Sequence, residues 1–167
     1  MKFKAFYCLF SFLFFFSLIL RYPGLFYPES EQGFDSYDNH ILADELIRNG
    51  YEFRLFTIFS LFGLDTFSNN LGGIFILGSF SLLTGLSTSY AILFITLILG
   101  ILGFLTYFWF SSFFFTDKRL ILLSTFLFNT TPLFLALTSW NYSFRGPFLA
   151  FLPLFYTLIL RLYQRNN

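Results

Sequence analysis

The sequence predicts an all-α integral membrane helical bundle, and three observations carry that reading. Apolar residues make up 56% of the 167 residues and charged residues only 11%, where soluble domains carry about a quarter charged. The few charges cluster, leaving uncharged runs at 5–20, 66–116, 120–144 and 146–160. Those runs approach or exceed the roughly 20 apolar residues that a spanning helix needs. A net charge of +1 without any basic stripe excludes nucleic acid as a partner. The single cysteine, Cys8, excludes an internal disulfide and a cysteine metal cage, and is expected as a packed apolar residue.

The expected organisation is one transmembrane domain, 1–167, with about four spans at 4–21, 90–115, 120–138 and 146–161. An external loop, 22–70, holds an amphipathic helix at 36–49, and a re-entrant or interfacial helix follows at 71–84. The first run is short, but it can recruit Phe3 while Lys2 and Lys4 snorkel to the interface. It has no small-residue cleavage site, so it reads as a retained signal-anchor. The second run permits two spans turning at Thr84-Gly85-Leu86-Ser87, or one span plus a shorter surface helix. Orientation selects the latter, because cytoplasmic loops collect Lys and Arg. One span there brings Lys2/Lys4, Lys118/Arg119 and Arg161/Arg165 to the cytoplasmic side, with both termini inside and the acidic loop external or lumenal. The last run, between Arg145 and Arg161, spans only if both ends snorkel.

Gly100 and Gly103 allow close helix contact. Trp140 and Tyr142 suit an outer aromatic belt, and Tyr107 with Trp109 an inner one. No span is expected to carry an ionisable residue at mid-depth, which argues against a transporter or channel.

The segment 21–70 holds Glu29, Glu31, Asp35, Asp38, Asp44, Glu45, Glu52 and Asp65, eight of the nine acids. Acids sit where water is, yet a loop this long is often functional. Within it, Asp35 or Ser36 can cap a helix by accepting from free backbone N–H groups. Ile41, Leu42, Leu46 and Ile47 then make one apolar side, which rests on the membrane or on the bundle. Asp44 and Arg48 are four apart and can pair; Gly50 after Asn49 is a stop.

Asp35, Asp38 and His40 gather at the start of this helix. Two carboxylates and an imidazole are a possible set for Mg²⁺ or Mn²⁺. The simpler readings are a plain cap for Asp35, a first-turn acid favoured by the helix dipole for Asp38, and a solvated His40.

Gly33-Phe34-Asp35-Ser36-Tyr37-Asp38-Asn39-His40, followed by Ala43-Asp44-Glu45-Leu46-Ile47-Arg48-Asn49-Gly50, resembles the first external loop of the GT-C glycosyltransferases. The segment is most similar to archaeal proteins like the oligosaccharyltransferase catalytic subunit. Leu83-Thr84-Gly85-Leu86-Ser87, the turn Asp117-Lys118-Arg119 and Pro132 follow in the same order. Ser139-Trp140-Asn141-Tyr142-Ser143-Phe144-Arg145-Gly146 falls where the family has its second acidic motif.

The resemblance implies transfer of a sugar or glycan from a polyprenyl-phosphate carrier to an acceptor on the external face. Asp35 then matches the first acidic residue, catalytic or metal-holding. Arg145 either binds the carrier phosphate or is an interfacial anchor. The turn 139–146 contains no acid, and family members carry more spans than these. The resemblance therefore covers an N-terminal portion: a shortened product, one working beside a separately encoded remainder, or one without activity. A non-catalytic or degenerate membrane subunit is the alternative.

Overall fold

The computed structural model describes residues 3–22, 33–49, 71–143 and 145–166. Among these residues every regular element is a helix: α1 (Phe3–Ile19), α2 (Phe34–Asn49), α3 (Leu71–Thr84), α4 (Thr88–Phe114), α5 (Lys118–Asn129), α6 (Pro132–Thr138) and α7 (Arg145–Asn166). Glu29, Glu31, Glu52, Asp65 and the Gly50 stop lie outside the described residues, as does most of the expected loop 22–70.

Two helices are long and apolar enough to cross a membrane, Thr88–Phe114 and Arg145–Arg165; the bent pair α5–α6 makes a third if it counts as one span. The apolar helices α1 and α3 are shorter. This is a helical membrane bundle.

α4 is the axis of the bundle. α1 runs antiparallel to it: Phe6 lies against Phe108, and Phe10 and Phe14 both meet Phe104 edge-on. α5 also runs antiparallel, with Tyr107 stacked on Phe128 at 4.3 Å between ring centroids. α7 descends beside α4, from Gly146 against Leu99 to Arg161 over the Trp109 ring. The start of α1, the turn 115–117 and the end of α7 therefore share one end of the bundle, called here the termini end. The other is the loop end.

At 27 residues, α4 is about 40 Å long and outreaches the roughly 30 Å hydrocarbon layer. Its first ten residues pass beyond the start of α7 and are wrapped by α2, α3 and the turn 139–143. Leu42, Ala43, Ile74, Leu77, Ala91, Ile92, Leu93, Trp140 and Tyr142 form the core there. α3 matches its expected bounds, and α2 starts two residues early and crosses α3 at Gly78, where Leu46 and Ile47 close in. The expected apolar side of α2 is corrected in part. Leu42 is buried, but Ile41 is 61% exposed, and the buried face runs through Ser36, Asn39 and Ala43.

The expected straight span 120–138 is broken. α5 and α6 meet at an angle of 60°. Pro132 supplies no N–H and its ring would clash with the Phe128 carbonyl, while Thr131 before it takes an extended ψ of 137°. The freed carbonyls are re-bonded locally: Thr130 Oγ1 donates to Leu127 O at 3.4 Å and Thr131 Oγ1 to Phe128 O at 2.8 Å. Three smaller expectations are corrected too. Cys8 is exposed on α1, not packed. Trp140 and Tyr142 are buried in the loop-end core rather than forming a belt. Asp44 turns to His40 and Thr88 instead of Arg48.

Candidate functional site

Two segments more than one hundred residues apart are clasped together at the loop end. The Tyr142 N–H donates to Ser36 Oγ at 2.9 Å, and Asn39 Nδ2 donates to Tyr142 O at 3.1 Å. The Ser143 hydroxyl donates to Asp35 Oδ2 at 3.2 Å. Gly33, with φ of +89°, lies so close to Asn141 that an added Cβ would sit 2.6 Å from its amide atoms. Only glycine meets both demands.

The turn is in turn pinned to the helices behind it. Trp140, at φ 55°, donates from Nε1 to Ser89 O at 3.2 Å. Tyr142 donates from its hydroxyl to Gly73 O at 3.1 Å, and burial pushes this phenol up to about 12. A left-handed tryptophan costs of order 1 kcal/mol, and the surrounding contacts hold it there.

Asp35 therefore does not cap α2. It lies in the first turn, solvent-exposed, with one carboxylate oxygen on Ser143 and the other unbonded among the described residues. Arg145 begins α7 two residues after Ser143 and is exposed as well. The clasp thus holds a carboxylate on a segment that carries a guanidinium two residues further on. Such a pair can take a proton from a hydroxyl and neutralise a phosphate.

The expected metal trio does not converge. Among the described residues no group of three or more His, Cys, Asp or Glu side chains could hold a metal ion. Asp35 engages Ser143, and His40 Nε2 lies 3.6 Å from Asp44 Oδ2. Thr88 donates to the other Asp44 oxygen, tying α2 to the start of α4.

The residue missing from the sequence-based site is Arg21. It is 0% exposed, and its neighbour Gly100 is 12 residues from one end of α4 and 14 from the other. An ionisable group does lie halfway along the longest span, contrary to expectation. Nε donates to Thr138 Oγ1 at 2.9 Å, Nη1 to Ser17 O at 2.7 Å, and Nη2 to Asn129 O at 2.7 Å and Oδ1 at 3.1 Å. The Phe134 ring centroid is 5.1 Å from Cζ. Every one of these partners is neutral.

The counter-charge comes from helix ends. Ser17 O belongs to the last turn of α1 and Asn129 O ends α5, and each C-terminus carries about half a negative charge. One guanidinium thus closes two helices at a fully buried position. Gly100 makes the room: a Cβ there would lie 2.5 Å from Arg21 Cδ.

No family model, curated protein or solved structure matches the chain.

Proposed function

We propose that the chain is a membrane glycosyltransferase of GT-C type, moving a sugar or glycan from a polyprenyl-phosphate carrier to an acceptor at the loop end. The observation that carries this reading is the clasp. The segments 33–40 and 139–146, which bear the resemblance, are bonded to one another, and Asp35 is held on Ser143, two residues before Arg145.

In the proposed reaction the bond between the anomeric carbon and the carrier phosphate breaks, and the acceptor oxygen bonds to that carbon. The acceptor proton passes to Asp35, and general-base help of this kind contributes about 10²–10⁴-fold. The electron pair leaves with the phosphate, whose charge Arg145 neutralises. Asp35, Asp38 and His40 do not form a ligand set, so these steps are assigned to Asp35 and Arg145.

The test is transfer from a short-chain polyprenyl-phosphate-linked hexose by the purified full chain, with Asp35→Asn and Arg145→Ala beside it. Asp35→Asn is expected to lower kcat by about 10²-fold or more, and Arg145→Ala to raise KM. A second reading, a non-catalytic membrane subunit, is favoured by the turn 139–146, which has no carboxylate. Folded Asp35→Asn with unchanged turnover, or no turnover in either protein, selects that reading.

A further inference from the structure

The termini end carries a charge pattern that the transfer reading does not use. Lys4, Lys118, Arg119, Arg161 and Arg165 are all exposed and come from three helices that meet there. Among the described residues of that end the one acid is Asp117, which caps α5 by accepting from the Arg119 N–H at 2.9 Å. The loop end differs: Asp35, Asp38, Asp44 and Glu45 stand there against Arg48 and Arg145.

Two of the cations at the termini end are fixed on aromatic faces. Lys118 Nζ lies 5.2 Å from the Phe6 ring centroid, and Arg161 Cζ lies 4.6 Å from that of Trp109. Both platforms belong to the last turns around the end of α4: Trp109 lies on α4 itself, and Phe6 lies against Phe108 of the same helix. Cation–π contact consumes no N–H donor. Arg161 makes no hydrogen bond or ion pair among the described residues, so its five donors remain available for phosphate oxygens.

The surroundings identify the partner. Phe114, Leu120, Leu162 and Tyr163 are exposed on the same rim, Tyr163 at 70%. An acidic soluble protein bound to the cations would leave these apolar side chains in water. The bilayer boundary takes both, phosphate beside the cations and acyl chain beside the rings. We propose that this rim binds anionic phospholipid headgroups, with Arg161 on Trp109 and Lys118 on Phe6 as its fixed cations.

The full chain, reconstituted with equal phosphatidylglycerol and phosphatidylcholine and re-extracted in detergent, is assayed for retained lipid by mass spectrometry. Phosphatidylglycerol should be enriched, and Arg161→Ala or Lys118→Ala should each cut the enrichment about fivefold. Trp109→Leu keeps every charge but removes a platform; it too should lower the enrichment, while Arg161→Lys should retain part of it. Inorganic phosphate should not displace the lipid. Equal retention of the two lipids, full enrichment in Trp109→Leu, or displacement by phosphate alone would each overturn the proposal. None of these readouts depends on sugar transfer, so the two proposals fail separately.

Discussion

Toward the termini end the helices are joined by rings. Phe6, Phe10 and Phe14 of α1 run along Phe104 and Phe108 of α4, mostly edge to face, and the outer flank of α1 stays exposed at Phe12 and Phe15. Toward the loop end the joints are hydrogen bonds between a side chain and a distant backbone, at Ser36, Asn39, Trp140 and Tyr142. The difference follows from the surroundings. Apolar rings gain little from leaving lipid, so packing geometry sets their arrangement. A long polar loop must instead satisfy each buried N–H and C=O by name. Ring joints tolerate sliding and hydrogen-bonded joints do not, which suits the loop end to holding Asp35 against Ser143. Arg21 stands between the two regimes, a polar joint set among rings.

The largest expected effect is at that boundary. Arg21→Met fills much of the same volume but leaves the carbonyls of Ser17 and Asn129 without donors. A loss of about 3 kcal/mol is expected, since each buried carbonyl left unsatisfied costs about 1–3 kcal/mol. Thermal unfolding in detergent measures it, and an unchanged midpoint would mean the helix ends do not need the guanidinium.

A pair of glycine substitutions comes next, with opposite signs. Gly100→Ala drives a methyl into Arg21 and should cost about 1–3 kcal/mol. Gly72→Ala in α3 meets nothing within 4 Å and should gain up to about 1 kcal/mol from helix propensity. Equal shifts for the two would show that helix propensity, not the space for Arg21, governs Gly100.

The smallest effect is a pH dependence confined to the clasp. Burial raises the Tyr142 phenol from 10.0 to about 12, favouring the neutral form in the folded chain. Its contribution is therefore complete below pH 10 and is lost as pH rises toward 12. Tyr142→Phe removes that part of the alkaline loss while giving up the bond to Gly73. Unfolding midpoints measured below and above this window, in both proteins, check the sign. Parallel curves would assign the alkaline loss to another group.

Much of the helix map was legible because composition and spacing are local properties. The bounds of α3 and the position of α2 follow from where polar residues interrupt apolar runs, and Gly100 and Gly103 do mark close contacts. The break at Thr130 and Thr131 had a visible cause in Pro132, but a proline near a span end can kink a helix or merely end it. The buried face of α2 was partly misread because it includes Ser36 and Asn39, whose burial is possible only with the turn 139–143 to bond them. Trp140 read as a belt residue because indole suits an interface as well as a core.

The sequence alone determined that the chain is a helical membrane protein. Lipid demands long apolar runs and helices that satisfy their own backbones, and both conditions are written residue by residue. Only the tertiary structure decided that Arg21 ends two helices at once, that Asp35 meets Ser143, and that the metal trio comes apart. Each depends on groups brought together from distant parts of the chain, and no local pattern states which donor will reach which acceptor.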